Sequence, residues 1–194
     1  MAKSHWTKAR GCPLIDLVCF YLDDAAQKVI KNKGAPGMDG ITYEQLPNLL
    51  RVHGEKIRQK LKNGTYIPAP VRRVDIPKPN GGTRMLGIPT LLDRTIQQAI
   101  VMTIGDAFED QFSDKSYGFR EGRNCQQAVQ RAQKYIEDGN RWVVEMDLSK
   151  FFDRVNHDIL MDRVSRVIDD KAILKLIRRY LNAGIMEDGL VSPR

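Results

Sequence analysis

Cysteine and histidine are scarce in this chain, with three of each among 194 residues. Cys12, Cys19 and Cys125 form an odd, widely spaced set, which excludes a disulfide framework and fits a reducing interior. His5, His53 and His157 are scattered and share no metal-ligand spacing with the cysteines, so a structural zinc site is not expected. No apolar run is long enough to cross a bilayer. The basic start (Lys3, Lys8, Arg10) before Leu14–Leu22 is a poor signal peptide, because Asp16 interrupts the run and Asp23 and Asp24 follow it. There is no internal repeat and no low-complexity tract. Acidic residues are also short, with Asp+Glu 24 against Lys+Arg 31, a net charge of +7. That balance favours a polyanionic partner, nucleic acid before membrane, although a merely basic soluble protein has the same totals. The hydrophobic content of 42% is ordinary for a soluble globular protein, and the cysteine usage with the lack of a signal peptide or membrane-spanning run gives the expectation of an intracellular one.

The stretch that organises the rest runs from Arg141 to Asp153. Val143 and Val144 favour a strand that would end at Asp147, followed by Phe151, Phe152 and a second acid, Asp153. An aspartate at a strand end can face a cleft and hold a divalent cation. It can equally cap the next helix.

Upstream, apolar residues recur at three- and four-residue steps over about Ile15–Lys31 and again over Leu92–Phe112, predicting two core helices. A shorter helix is expected over Glu55–Lys62, with Thr42 and Gln45 resembling a capping box before it. Val71–Ile76 and Thr83–Ile88 read as strands joined through Lys78-Pro79-Asn80-Gly81-Gly82, a hairpin signal. Arg72, Arg73, Lys78 and Arg84 make this hairpin basic against one acid, Asp75. Such a ribbon can grip phosphates, or simply carry charge that deters edge-to-edge pairing. Ser116–Asn124 is a glycine-punctuated loop in which Arg120 and Arg123 alternate with aromatics, a composition suited to single-stranded bases. Helices follow over about Cys125–Glu137, His157–Ile168 and Lys171–Leu181, the last capped by Asp169-Asp170, and Ala183–Arg194 reads as extended.

Five pieces occur in one order: Gly37-Met38-Asp39-Gly40; Ile76-Pro77-Lys78 through Arg84 to Pro89; Asp93-Arg94; Ser116-Tyr117-Gly118-Phe119-Arg120; and Asp147 with Phe151-Phe152-Asp153 and His157. Together they resemble the reverse transcriptases and maturases encoded by group II introns, over roughly residues 34 to 194. Retron, diversity-generating and CRISPR-associated reverse transcriptases are alternative assignments of the same pattern. Tyr21-Leu22-Asp23-Asp24 matches the family's catalytic Tyr-x-Asp-Asp, but it lies in a helical pattern, where the two acids point about 100° apart; it reads as a chance match.

The resemblance implies an α+β, right-hand polymerase fold: fingers plus the first part of the palm, helix-rich with a small antiparallel sheet. Its divisions would be a helical extension over 1–40, fingers over 41–110, the first part of the palm over 111–155 and a helical segment returning to the fingers over 156–194. It further implies that Asp147 and the backbone carbonyl of Leu148 bind metal, Mg²⁺, in the full-length enzyme. Phe152 would lie beneath the incoming sugar and act in catalysis by disfavouring a 2′-hydroxyl. Lys78 and Arg84 would hold the triphosphate, and Arg72, Arg73, Arg120 and Arg123 would touch nucleic acid. The implied partners are group II intron RNA, an RNA template with a DNA primer, and dNTPs, with a second copy of the chain as a candidate and no membrane. The implied location is a bacterial cytoplasm or an organelle. The family's Tyr-x-Asp-Asp hairpin does not occur before Arg194. The chain is therefore expected to be a fragment that binds Mg²⁺ weakly and polymerises nothing by itself. The competing reading is a non-catalytic RNA-binding module built on the same basic surface.

Overall fold

The structure is a computed structural model and describes residues 11–79, 81–149, 151–187 and 190–192. Nine helices and four short strands occur among them: α1 (Leu14–Phe20), α2 (Leu22–Lys31), α3 (Leu46–Lys62), β1 (Val71–Pro77), β2 (Thr83–Ile88), α4 (Leu91–Ile104), α5 (Asp106–Glu109), α6 (Cys125–Glu137), α7 (Phe151–Arg154), α8 (His157–Ser165), α9 (Lys171–Leu181), β3 (Ile185–Glu187) and β4 (Leu190–Ser192).

Helices α1 to α4 and α9 share one apolar core. Leu14, Val18 and Leu22 meet Leu61, Ile96, Ile168 and Ile173 there, all essentially solvent-free. Each such side chain stabilises the fold by about 1.5–3 kcal/mol through burial. The single helix expected over Ile15–Lys31 is two, with the backbone turning at Tyr21 (φ −78°, ψ 1°), and both halves pack on α4. The helix expected from Glu55 starts earlier, at Leu46. Of the capping box at Thr42, one half forms, with the Gln45 side chain accepting from the Thr42 amide at 3.0 Å. Asp170 caps α9 as its sequence position suggests, accepting from the amides of Ala172 and Ile173. Its other oxygen accepts from the Leu14 amide at 2.9 Å, tying α9 to the start of α1.

The hairpin forms with the expected strands, Arg72 opposite Ile88 and Pro77 opposite Thr83. Gly81 and Gly82 take φ of +86° and +79° in its turn, a region open to glycine at no steric cost. Asn80 of that turn lies outside the described residues. The sheet is mixed and not purely antiparallel. Its order is β2-β1-β3-β4, and β3 runs parallel to β1, pairing Val71 with Ile185. A second correction concerns residues 141–148, which form no strand. A strand is held by ladder hydrogen bonds to a neighbour, and none of the described residues pairs with this segment. Trp142, Val144 and Met146 are 95%, 80% and 88% exposed, so the apolar pattern is present without a covering layer. None of the helices among the described residues is long and apolar enough to cross a membrane. All three cysteines are free.

Candidate active site

An open cleft of about 1030 Å³ lies between the hairpin and the segment around residue 147. Lys78, Thr83, Arg84 and Met85 form one wall, continued by Arg73 and Asp75, and Met146, Asp147, Leu148, Phe151 and Phe152 form the other. The pleat accounts for Arg73, Asp75, Thr83 and Met85, whereas Arg84, opposite Ile76, alternates to the other face and lines the cleft from beside the turn. Arg73 and Asp75 alternate to one face of β1, and Met85 and Thr83 stand opposite Asp75 and Pro77 on the same face of β2.

The two cationic residues at the hairpin tip, Lys78 and Arg84, are exposed and have no carboxylate partner among the described residues. Facing them, Asp147 is exposed, and one of its oxygens accepts from the Leu148 amide at 2.9 Å. This local contact leaves the residue exposed on the cleft wall. Phe151 and Phe152 pack edge-to-face with centroids 5.4 Å apart, and Phe152 is 77% exposed. Cations on one wall, a hard carboxylate on the other and an aromatic surface beneath suit a ligand carrying phosphates and a planar or sugar moiety.

Of the residues singled out from sequence, Lys78, Arg84, Asp147, Leu148, Phe152 and Arg73 meet in this cleft. Arg73 also pairs with Asp75 at 3.2 Å. The alternation turns Arg72 to the opposite face of β1, where its Nε is buried without a hydrogen-bond partner. Arg120 and Arg123 lie elsewhere. The Arg120 side chain is 6% exposed and grips one oxygen of Glu109 and the carbonyls of Ser113 and Ser116. Arg123 donates to the Asp114 carbonyl at 2.6 Å and stacks over Tyr117. Both arginines therefore shape the 113–124 loop, and the aromatic ring this loop offers to solvent is that of Phe119, fully exposed at φ +57°. Asp75, Thr83, Met85 and Met146 are cleft residues that the sequence reading passed over. Strand alternation from Arg73 and the hairpin register would have identified the first three.

As for a metal, Asp147 and the Leu148 carbonyl are hard oxygen donors of the type a small divalent cation prefers. No group of three His, Cys, Asp or Glu that could hold an ion occurs among the described residues.

Comparison with known proteins identifies the family. The family model described as reverse transcriptase (RNA-dependent DNA polymerase) matches residues 76–192. Protein YkfC of Escherichia coli (strain K12) is 40% identical over 176 residues, covering 88% of this chain and 46% of that protein. The group II intron-encoded protein LtrA of Lactococcus lactis subsp. cremoris is 38% identical over 165 residues, covering 84% and 27%. The putative COX1/OXI3 intron 1 protein of Saccharomyces cerevisiae is 32% identical over 159 residues, covering 82% and 19%. The chain thus spans less than half the length of these curated relatives. Among solved structures, a chain of a partial Cas6-RT-Cas1–Cas2 complex superposes with a TM-score of 0.58 at 21% identity, covering 93% of this chain and 30% of that one, a likeness of fold. The chain belongs to the reverse transcriptase (RNA-dependent DNA polymerase) family.

Proposed function

We propose that this chain is the fingers and first part of the palm of an RNA-directed DNA polymerase that also binds its own intron RNA as a splicing maturase. In this reading the fingers span 41–110, the first part of the palm 111–155, the returning helical segment 156–194, and 1–40 precede them as a helical extension. The observation that carries the reading is the single cleft lined by Lys78, Arg84, Asp147 and Phe152.

Nucleotidyl transfer builds negative charge on phosphate oxygens. The unpaired cations at the hairpin tip are placed to hold the triphosphate and to meet that charge as it develops. The ring of Phe152 offers a flat surface for the deoxyribose, where a 2′-hydroxyl would collide. Asp147 and the Leu148 carbonyl would contribute oxygen ligands to a divalent ion, for which Mg²⁺ is the proposed identity. When bound, that ion neutralises phosphate charge and favours the attacking 3′-hydroxyl in its ionised form. The proposed substrates are dNTPs with an RNA template and a DNA primer, and the proposed partner is the intron RNA. On this reading Phe119 stacks on an unpaired base, with Arg120 and Arg123 acting behind it as the frame of the loop and not as direct contacts.

Exchanging both Lys78 and Arg84 for alanine in the full-length protein tests the reading. The KM for dNTP should rise about tenfold or more, while affinity for intron RNA stays within about twofold. Equal losses in both would mean that the hairpin only grips RNA backbone, which is the non-catalytic RNA-binding alternative.

A further inference from the structure

The cleft's cationic wall projects into solvent, and something must hold its base. We propose that Asp93, a buried carboxylate outside the cleft, is the positioning residue of the 71–88 ribbon. It would act by tying together the three backbone segments that lead into and out of the sheet. This inference rests on the polymerase reading for its functional consequence and on the geometry alone for its structural one.

Asp93 is 1% exposed and sits in the first turn of α4. Its Oδ1 accepts from the hydroxyl of Tyr66 at 2.7 Å and from that of Tyr180 at 3.1 Å. Its Oδ2 accepts from the Ala69 amide at 3.1 Å and from the Thr90 hydroxyl at 2.7 Å. Thr90 in turn accepts from the Asp93 amide at 3.1 Å, capping α4. Burial, with Asp93 beside them, pushes both phenols far above the ordinary tyrosine range, so each stays a protonated donor.

The positions of the four donors give this cluster its meaning. Tyr66 and Ala69 lie in the segment that enters β1, Thr90 follows the end of β2, and Tyr180 precedes β3. One carboxylate therefore joins the entry of β1, the exit of β2 and the approach to β3, the strand that flanks β1. Two further bonds close the same junction: the Val71 amide donates to the Gly184 carbonyl at 2.9 Å, and Arg179 donates to the Tyr66 carbonyl at 2.7 Å. A carboxylate accepting four hydrogen bonds in a solvent-free site is costly to leave partly paired, so the junction has one arrangement in preference to several. The described residues of the hairpin tip are exposed, and in this proposal its pose over the cleft is inherited from this base.

Amide hydrogen exchange on this chain tests the structural claim. In Asp93→Ala, amides of 71–77 and 83–88 should exchange at least about fivefold faster, with those of α1 and α2 within about twofold of the parent. Should Asp93→Ala fail to fold, Asp93→Asn makes the same comparison, because its amide can accept from only one of the two donor pairs. Unchanged hairpin amides in a folded variant would overturn the proposal. So would a parallel rise throughout α1 and α2, which would make Asp93 an ordinary core residue.

In the full-length enzyme, Asp93→Asn should raise the KM for dNTP about tenfold with kcat reduced less than about threefold. A fall in kcat alone, with KM unchanged, marks loss of folded enzyme and contradicts positioning. If the unaltered full-length protein incorporates no nucleotide, the polymerase reading fails and hydrogen exchange alone decides the role of Asp93.

Discussion

Arg120 places both Nε and Nη2 on one oxygen of Glu109, at 2.9 and 2.5 Å, and this pair closes the loop that presents Phe119. The hydrogen bond from Arg120, ahead of its charge, holds the Glu109 carboxyl below the usual glutamate range.

Because the folded carboxyl ionises more readily than the unfolded one, its stabilisation is complete above the ordinary glutamate value of about 4.3. It disappears as pH falls through the lowered folded value. The difference in Tm between the parent and Glu109→Gln should therefore be constant near neutral pH and close below about pH 4. Thermal scans across that range check it, and a gap that stays open in acid would contradict the pairing.

Gly37 tests the packing of the 34–40 loop on the start of α4. A Cβ built there would lie 2.6 Å from both the N and the Cα of Thr90, which are backbone atoms that cannot swing aside. Gly37→Ala should destabilise the chain by about 1–3 kcal/mol, read as a lower urea midpoint. An unchanged midpoint would mean that the loop is not seated against Thr90.

Phe119 occupies the left-handed region at φ +57° with its ring in solvent. Such a backbone costs a non-glycine residue about 1–2 kcal/mol, and a strain of this kind points to use of the side chain. Phe119→Gly should leave stability unchanged or raise it by about 1 kcal/mol, after the entropy that glycine adds to the unfolded chain. The same change should weaken binding of a labelled single-stranded RNA by about 1–3 kcal/mol, the loss of one stacked base. Lower stability with unchanged RNA affinity would give the ring a packing role instead.

Local chemistry was legible in the sequence. The Gly81-Gly82 turn and the flanking alternation were enough to place the hairpin, and Asp170 announced the start of α9. Tyr21-Leu22-Asp23-Asp24 was rightly set aside, since Asp23 is engaged by Arg58 at 2.6 Å on the surface of the helical core. Relationships between distant residues were not legible. Nothing around Arg120 signals that Glu109 consumes its guanidinium, and nothing around Val71 signals a parallel partner at Ile185. Asp93 looked like one half of a motif, because three of its four donors, Tyr66, Ala69 and Tyr180, are distant in the chain. Residues 141–148 have the composition of a strand, but composition supplies no hydrogen-bonded neighbour.

On the polymerase reading, the carboxylate of Asp147, and not that of Asp75, carries the chemistry of the cleft. Asp147→Asn keeps the shape and the contact with the Leu148 amide while removing the charge, so folding and RNA affinity should be unaffected. The decisive measurement is primer extension by the full-length protein carrying this change, alongside RNA binding by the same preparation. Nucleotide incorporation should fall at least about a hundredfold with intron RNA bound as before. Incorporation at the parent rate would remove Asp147 from the reaction and leave the basic ribbon as an RNA grip.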